Sequence, residues 1–244
     1  MKLITAFTLS LTAMISLGFN CFGQDTSSGQ SVVSENLDLE VAFGGLHHQQ
    51  ILQGKQYSHF YPSTRGHQYW DKAIYAIGSL TFEGVTYHNI LLNYDVYNDL
   101  VLISMMRNGL TENIILDNTR IQNFQLASAN FVNIRDSTES IAPGIYRLAF
   151  DQNDVQLFIQ AKKSVVGNNG QGEQLKKFVE DITFLLAING AVHNIEKKRD
   201  LLKVTEIGSS LPNYIKNNNL KFRNHKQIES SLMNILERFY SSNL

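Results

Sequence analysis

Turn-forming dipeptides divide much of this chain into short apolar runs spaced as antiparallel hairpins require. Glu83-Gly84 separates 77–82 from 85–92, and Asn108-Gly109 separates 99–106 from 111–117. A tight hairpin turn asks both central residues to accept positive φ, which Gly and Asn do at low cost. Pro143-Gly144 ends a loop before another run. Within the runs the side chains alternate: Ile145, Arg147 and Ala149 against Tyr146, Leu148 and Phe150, then Val155, Leu157 and Ile159 against Asp154, Gln156 and Gln160. Period-two alternation is the signature of half-buried strands, with Phe158 the exception. Only three prolines interrupt the chain, so long runs are free to pair.

The pattern changes after Gly167-Asn168-Asn169-Gly170-Gln171-Gly172. Residues 181–188 and 191–196 flank Asn189-Gly190 as a last hairpin, and helical spacing follows. Lys198 to Val204 and Leu211 to Asn218 are candidate helices, with Pro212 tolerated in a first turn. Ile228, Leu232, Ile235, Leu236 and Phe239 then fall on one helical face, a stripe that reads as core contact. The expected fold class is α+β: an antiparallel β-sandwich or partly closed barrel followed by a C-terminal hairpin and helices. The expected organisation is a signal peptide (1–23), a flexible polar lead-in (24–36), a β-rich domain (37–166), a Gly/Asn-rich loop (167–172), and a hairpin plus helical region (173–244) packed on the β-domain.

The N-terminus carries an export plan. Lys2 precedes a stretch from Leu3 to Phe19 without a charged residue, and Cys21 and Gly23 are the small residues that cleavage before Gln24 requires. The alternatives are an uncleaved anchor and acylation of Cys21. The bulky Phe19 and Asn20 argue against the second, because lipoprotein processing wants small residues immediately upstream. Cleavage at Gly23 removes the only cysteine, and with it disulfides, thiolate metal sites and cysteine nucleophiles. No later stretch is long and apolar enough to form a spanning helix. The expected location is the periplasm or the outer membrane surface.

Charge is uneven: residues 24–159 carry a balance of −7 and residues 160–244 a balance of +5. The basic residues of the second half, among them Lys197, Lys198, Arg199, Lys216 and Lys226, spread over presumed helix faces, and export argues against a nucleic-acid partner. G-x-S-x-G, S-x-x-K, H-E-x-x-H, phosphate-loop and paired C-x-x-C signatures are all missing. The seven histidines, including adjacent His47-His48, lack compact ligand spacing, so no metal and no cofactor is expected. Asp95, Asn98 and Asp99 offer three oxygen donors for calcium, but turn formation by side chain to backbone bonding explains them better.

The segment YSHFYPSTRGHQYW (57–70) is the one candidate site. Five of its 14 residues are aromatic, against 10% for the chain, and it holds the only tryptophan. Aromatic faces with polar tips suit a sugar, peptide or aromatic ligand, and equally suit closing one end of a sandwich or covering a sheet edge. As a ligand or partner surface it rests on Tyr57, Tyr61, Arg65, Tyr69 and Trp70. The expected function is a non-catalytic cell-envelope protein binding a partner protein or a surface or cell-wall glycan. The alternative is a secreted hydrolase using carboxylate or histidine chemistry, which a deep cleft lined by Asp, Glu and His would favour. A small outer-membrane barrel fits the helical tail poorly.

Two stretches, GSLTFEGVTYHNILLNYDVYNDLVLI (78–103) and LLKVTEIGSSLPNYIKNNNLKF (201–222), resemble a group of uncharacterised exported proteins common in Bacteroidota. The matching residues are Gly84, Tyr87, Asn89, Tyr94 and Asp95, then Leu201, Leu202, Tyr214, Ile215, Lys216 and Phe222. The resemblance implies an envelope protein with a β-then-helix plan. It brings no activity or catalytic residue to transfer.

Overall fold

The computed structural model describes residues 51–58, 61–107, 109–137, 141–167 and 176–240. The expected signal peptide and lead-in, Cys21, His47, His48, His59 and positions 168–172 of the Gly/Asn-rich loop lie outside the described residues.

The protein is α+β and β-rich, built on one open, mixed sheet of twelve strands. These are β1 (Lys55–Gln56), β2 (Thr64–Arg65), β3 (Ala76–Phe82), β4 (Val85–Asp95), β5 (Leu100–Arg107), β6 (Leu110–Ile115), β7 (Ile121–Leu126), β8 (Ala129–Ile134), β9 (Gly144–Gln152), β10 (Val155–Val166), β11 (Lys176–Ile188) and β12 (Ala191–Asn194). Their order is β1-β6-β5-β4-β3-β7-β8-β9-β10-β11-β12, and β2 lies parallel to the start of β11. All other pairs are antiparallel. Three helices follow: α1 (Lys198–Leu201), α2 (Leu211–Asn217) and α3 (His225–Tyr240). No helix among the described residues is long and apolar enough to cross a membrane.

Two of the local turn signals act as expected, while Asn108 of a third lies outside the described residues. Glu83 and Gly84 take φ of 51° and 80° between β3 and β4, and Asn189 and Gly190 take 50° and 83° between β11 and β12. Both residues of each turn lie in the left-handed region, matching the right-handed twist of the flanking strands. Gly78 has a different role, in an irregular stretch of β3. A Cβ there would come within 2.0 Å of the Gln125 carbonyl oxygen on β7, so any side chain would push the two strands apart.

Two apolar cores connect through the sheet. The first gathers Leu80, Leu92, Tyr94, Val101, Ile103, Phe124 and Phe131 from β3–β8. Phe124 stacks on Phe131 at 4.6 Å, and Tyr94 of β4 meets Phe131 edge-on at 5.8 Å across the intervening β3 and β7. This half of the sheet is therefore concave. The second core places Leu157, Ile159, Phe184 and Leu186 of β10 and β11 under Leu201, Leu211, Ile215 and the α3 stripe. Within that stripe Ile228, Leu232, Ile235 and Leu236 are buried and Phe239 is partly so. Each such side chain contributes about 1.5–3 kcal/mol of burial free energy, which holds the helices on the sheet. Phe158, the break in the alternation, packs with Ile141, Tyr146 and Ala187 in a smaller cluster. β10 thus buries both faces, and its apolar run is continuous for that reason.

Candidate functional site

The site begins with a buried carboxylate. Asp95 ends β4 with no exposed surface, which for a charged group demands full compensation by donors. Its Oδ1 accepts the backbone N–H groups of Tyr97 and Asn98 at 3.1 and 3.0 Å. Its Oδ2 accepts Asn98 Nδ2 and the Tyr57 hydroxyl, both at 2.7 Å. The Asp95–Asn98 cluster is thus turn chemistry, as its composition suggests. Gln68 Nε2 donates in turn to the Tyr57 hydroxyl at 3.0 Å. Burial first, with the neighbouring Asp95 charge adding to it, pushes the Tyr57 phenol far above its ordinary range. The neutral hydroxyl is therefore held as a donor.

This carboxylate fastens the described parts of the aromatic segment, 57–58 and 61–70, to the sheet as a strap. Trp70 N–H donates to the Tyr94 carbonyl at 2.8 Å and Val96 N–H to the Gln68 carbonyl at 3.0 Å, so residues 68–70 run as a short extended stretch beside the end of β4. The strap's other attachment is Lys163 of β10. Its ammonium donates to the His67 carbonyl at 3.2 Å and to the Tyr69 carbonyl. The Lys163 side chain is only 10% exposed, and burial lowers its pKa, an effect opposed by the charges of Glu180, Asp95 and Asp71. Between these ends the strap reaches β11: Tyr61 meets Tyr97 at 5.4 Å and Phe178 at 5.5 Å, edge to face.

The structure sends the five residues singled out from sequence to different places. Tyr57 and Tyr69 approach each other at 6.3 Å near Asp95, and Tyr61 joins the aromatic cluster at β11. Arg65 lies exposed on β2 opposite Lys177. Trp70 alone of the five lines a cleft, where its ring rests edge-on against Phe131 at 5.1 Å.

The cleft, of about 670 Å³, opens between the strap and α3 at the junction of the two cores. Trp70, Tyr94 and Phe131 form an aromatic wall, and Ile145, Ile159 and Ile182 an aliphatic floor. Three cations and three carboxylates line it: Arg147, Lys163 and Lys226 with Asp71, Glu180 and Glu229. Arg147 of β9 pairs with Glu229 of α3 at 2.7 Å, and Lys163 faces Glu180 at 3.9 Å. His67 and His225 complete the rim, and the buried Nδ1 of His67 has no hydrogen-bond partner. Among the described residues no group of three or more His, Cys, Asp or Glu side chains is placed to hold a metal ion.

Sequence reasoning missed most of this lining. The β9–β11 contribution, Arg147, Lys163 and Glu180, interrupts otherwise apolar strand faces, and that interruption was the available signal. His225, Lys226 and Glu229 occupy the helical flank beside Ile228 and Leu232, where their spacing marks a common side. Against family models, curated proteins and solved structures the chain gives no match.

Proposed function

We propose that the protein is a non-catalytic cell-envelope protein, exported to the periplasm or outer membrane surface, that binds a surface or cell-wall glycan in the cleft beside Trp70. The observation that carries this is the form of the cleft: an aromatic wall facing charged and hydrogen-bonding groups in about 670 Å³. That lies within the roughly 300–1,000 Å³ of small-ligand sites, whereas a stable protein partner needs about 800 Å² of surface on each side. The Met1–Gly23 plan supports the export part of the reading.

Affinity purification of the tagged protein from its own envelope after mild crosslinking tests it. A co-purifying glycan whose retention is lost in Trp70→Ala supports the reading. A stoichiometric protein, retained by that variant, replaces it with the partner-protein reading.

One observation favours the hydrolase alternative: His67, Asp71, Glu180, His225 and Glu229 do line the cleft. Two of its carboxylates face cations, Glu229 with Arg147 and Glu180 with Lys163. The buried Nδ1 of His67 has no hydrogen-bond partner, so no carboxylate orients that nitrogen as a base requires. Release of reducing ends from the bound glycan, abolished by Asp71→Asn or Glu180→Gln, would establish hydrolysis instead.

A further inference from the structure

We infer that the glycan taken by this cleft is uncharged: a neutral saccharide segment that lays an apolar ring face on Trp70 and hydrogen-bonds through its hydroxyls to the charged pairs opposite. The inference rests on the glycan reading above and narrows it to one chemical class.

Charge balance comes first. Counted over Lys, Arg, Asp and Glu, the three cations and three carboxylates of the lining balance, so the lining carries no excess of either sign to concentrate an ion. The pairing matters more than the sum. Arg147 is engaged by Glu229 at 2.7 Å, with side chains 20% and 38% exposed. An anionic ligand that recruited the guanidinium would sit beside the Glu229 carboxylate and be repelled by it. Lys163 is no freer, because its ammonium already donates to the carbonyls of His67 and Tyr69 and faces Glu180. Lys226 remains, but it is exposed at the rim on the first turn of α3, where solvent and salt screen it.

A hydroxyl is the group these pairs can accept without being broken. It donates one hydrogen bond and accepts up to two. Adjacent ring hydroxyls can therefore bridge the guanidinium and the carboxylate of an intact Arg147–Glu229 pair. Glu180 and Asp71 offer acceptors, and the unpartnered Nδ1 of His67 offers a further buried hydrogen-bonding atom. The aromatic wall supplies the other half. Trp70 is held edge-on by Phe131, which is itself stacked on Phe124, so the indole is fixed before any ligand arrives. A ring whose polar groups lie at its rim and whose C–H groups lie on its face matches a wall of that kind.

Calorimetric titration of the full chain tests this with two sets of oligosaccharides. One is neutral (oligomers of glucose, mannose, xylose and N-acetylglucosamine), and the other is acidic (oligomers of galacturonate and mannuronate). The expected result is saturable binding within the neutral set. Its Kd should change less than about twofold between low and high salt, because no net charge is neutralised. Trp70→Ala should weaken it at least tenfold while Trp70→Phe, which keeps an aromatic wall, retains part of it. Circular dichroism and thermal melts of both variants separate loss of the wall from loss of the fold. Binding confined to the acidic set and weakening steeply with salt would overturn the neutral class and leave the glycan reading standing. Binding to neither set would remove both.

Discussion

The Tyr57 hydroxyl donates a 2.7 Å hydrogen bond to Asp95 across 38 residues of sequence, and this bond joins the start of the aromatic strap to the end of the longest strand of the first core. Asp95 is fully buried and its compensation comes from donors on Tyr57, Tyr97 and Asn98. Hydrogen bonds to a charged group contribute about 1.5–3 kcal/mol each, so Tyr57→Phe should lower unfolding free energy by that order in urea. Asp95→Asn should cost at least as much. The double variant should cost clearly less than the sum, because both changes remove the same bond. Additive losses would show that the two side chains act independently.

Lys163 holds the far side of the strap through the carbonyls of His67 and Tyr69. Lys163→Met keeps the aliphatic stem and removes the donors, leaving two strap carbonyls without that partner. Amide exchange across 64–70 should accelerate by an amount equivalent to roughly 2 kcal/mol, and clearly more than exchange in α3. Unchanged exchange in the strap would mean that aromatic packing alone holds it.

Alkaline pH should loosen the same region. Burial raises the pKa of Tyr57, Tyr75 and Tyr94, with nearby carboxylates adding to the effect. An acid whose folded pKa is raised contributes stability that is fully present below its unfolded pKa, about 10 for tyrosine, and lost as pH rises toward the folded value. Stability should therefore fall above pH ~10, where the unfolded chain releases protons that the folded protein retains. Phenolate absorbance should accordingly show a late component coincident with loss of near-ultraviolet dichroism. Tyrosines that all titrate together near pH ~10 in the folded state would contradict this.

The helical tail is a core element. Leu232, Ile235 and Leu236 of α3 have no exposed surface against β9–β11. Ile235→Ala should cost about 2–5 kcal/mol, the range for removing a buried aliphatic side chain where neighbours relax only partly. A loss below 1 kcal/mol would place α3 on the surface as a loosely held appendage.

The hairpins were legible because their causes are local. Glu83-Gly84 and Asn189-Gly190 mark turns through positive φ, and the strands on either side follow from alternation. The β7–β8 turn carried no such mark, since Ala127 adopts φ of 53° there, a conformation that an alanine does not advertise. The α3 stripe was read correctly down to its buried residues, because a period of 3.6 is written in the sequence. The first helix ends at Leu201 rather than at Val204; a 3-10 turn over Thr205–Ile207 follows, and Val204 reaches the core from the connecting loop and Ile207 from that turn.

The candidate site was half legible for a related reason. Composition pointed to 57–70, but the strap's tertiary contacts divide it. Trp70 enters the cleft, while Tyr57 and Tyr69 gather near Asp95. Which residues fall on which side depends on pairing with Tyr94 and Asp95, and no local pattern records that register. The opposite wall of the cleft comes from β9–β11 and from α3 packed on them, elements distant in sequence from the strap. The glycan reading accordingly rests on Trp70 and the charged pairs more than on the aromatic content of the strap.

The chain has a single tryptophan, so one indole N–H resonance reports on the cleft directly. The decisive measurement is a nitrogen–proton correlation spectrum of the isotopically labelled protein, titrated with neutral glycan from its own envelope. The expected result is a saturable shift of the Trp70 indole peak together with the backbone amides of Lys163, His225 and Glu229. An unmoved indole, with shifts elsewhere or none at all, would contradict the assignment of this cleft as the binding site.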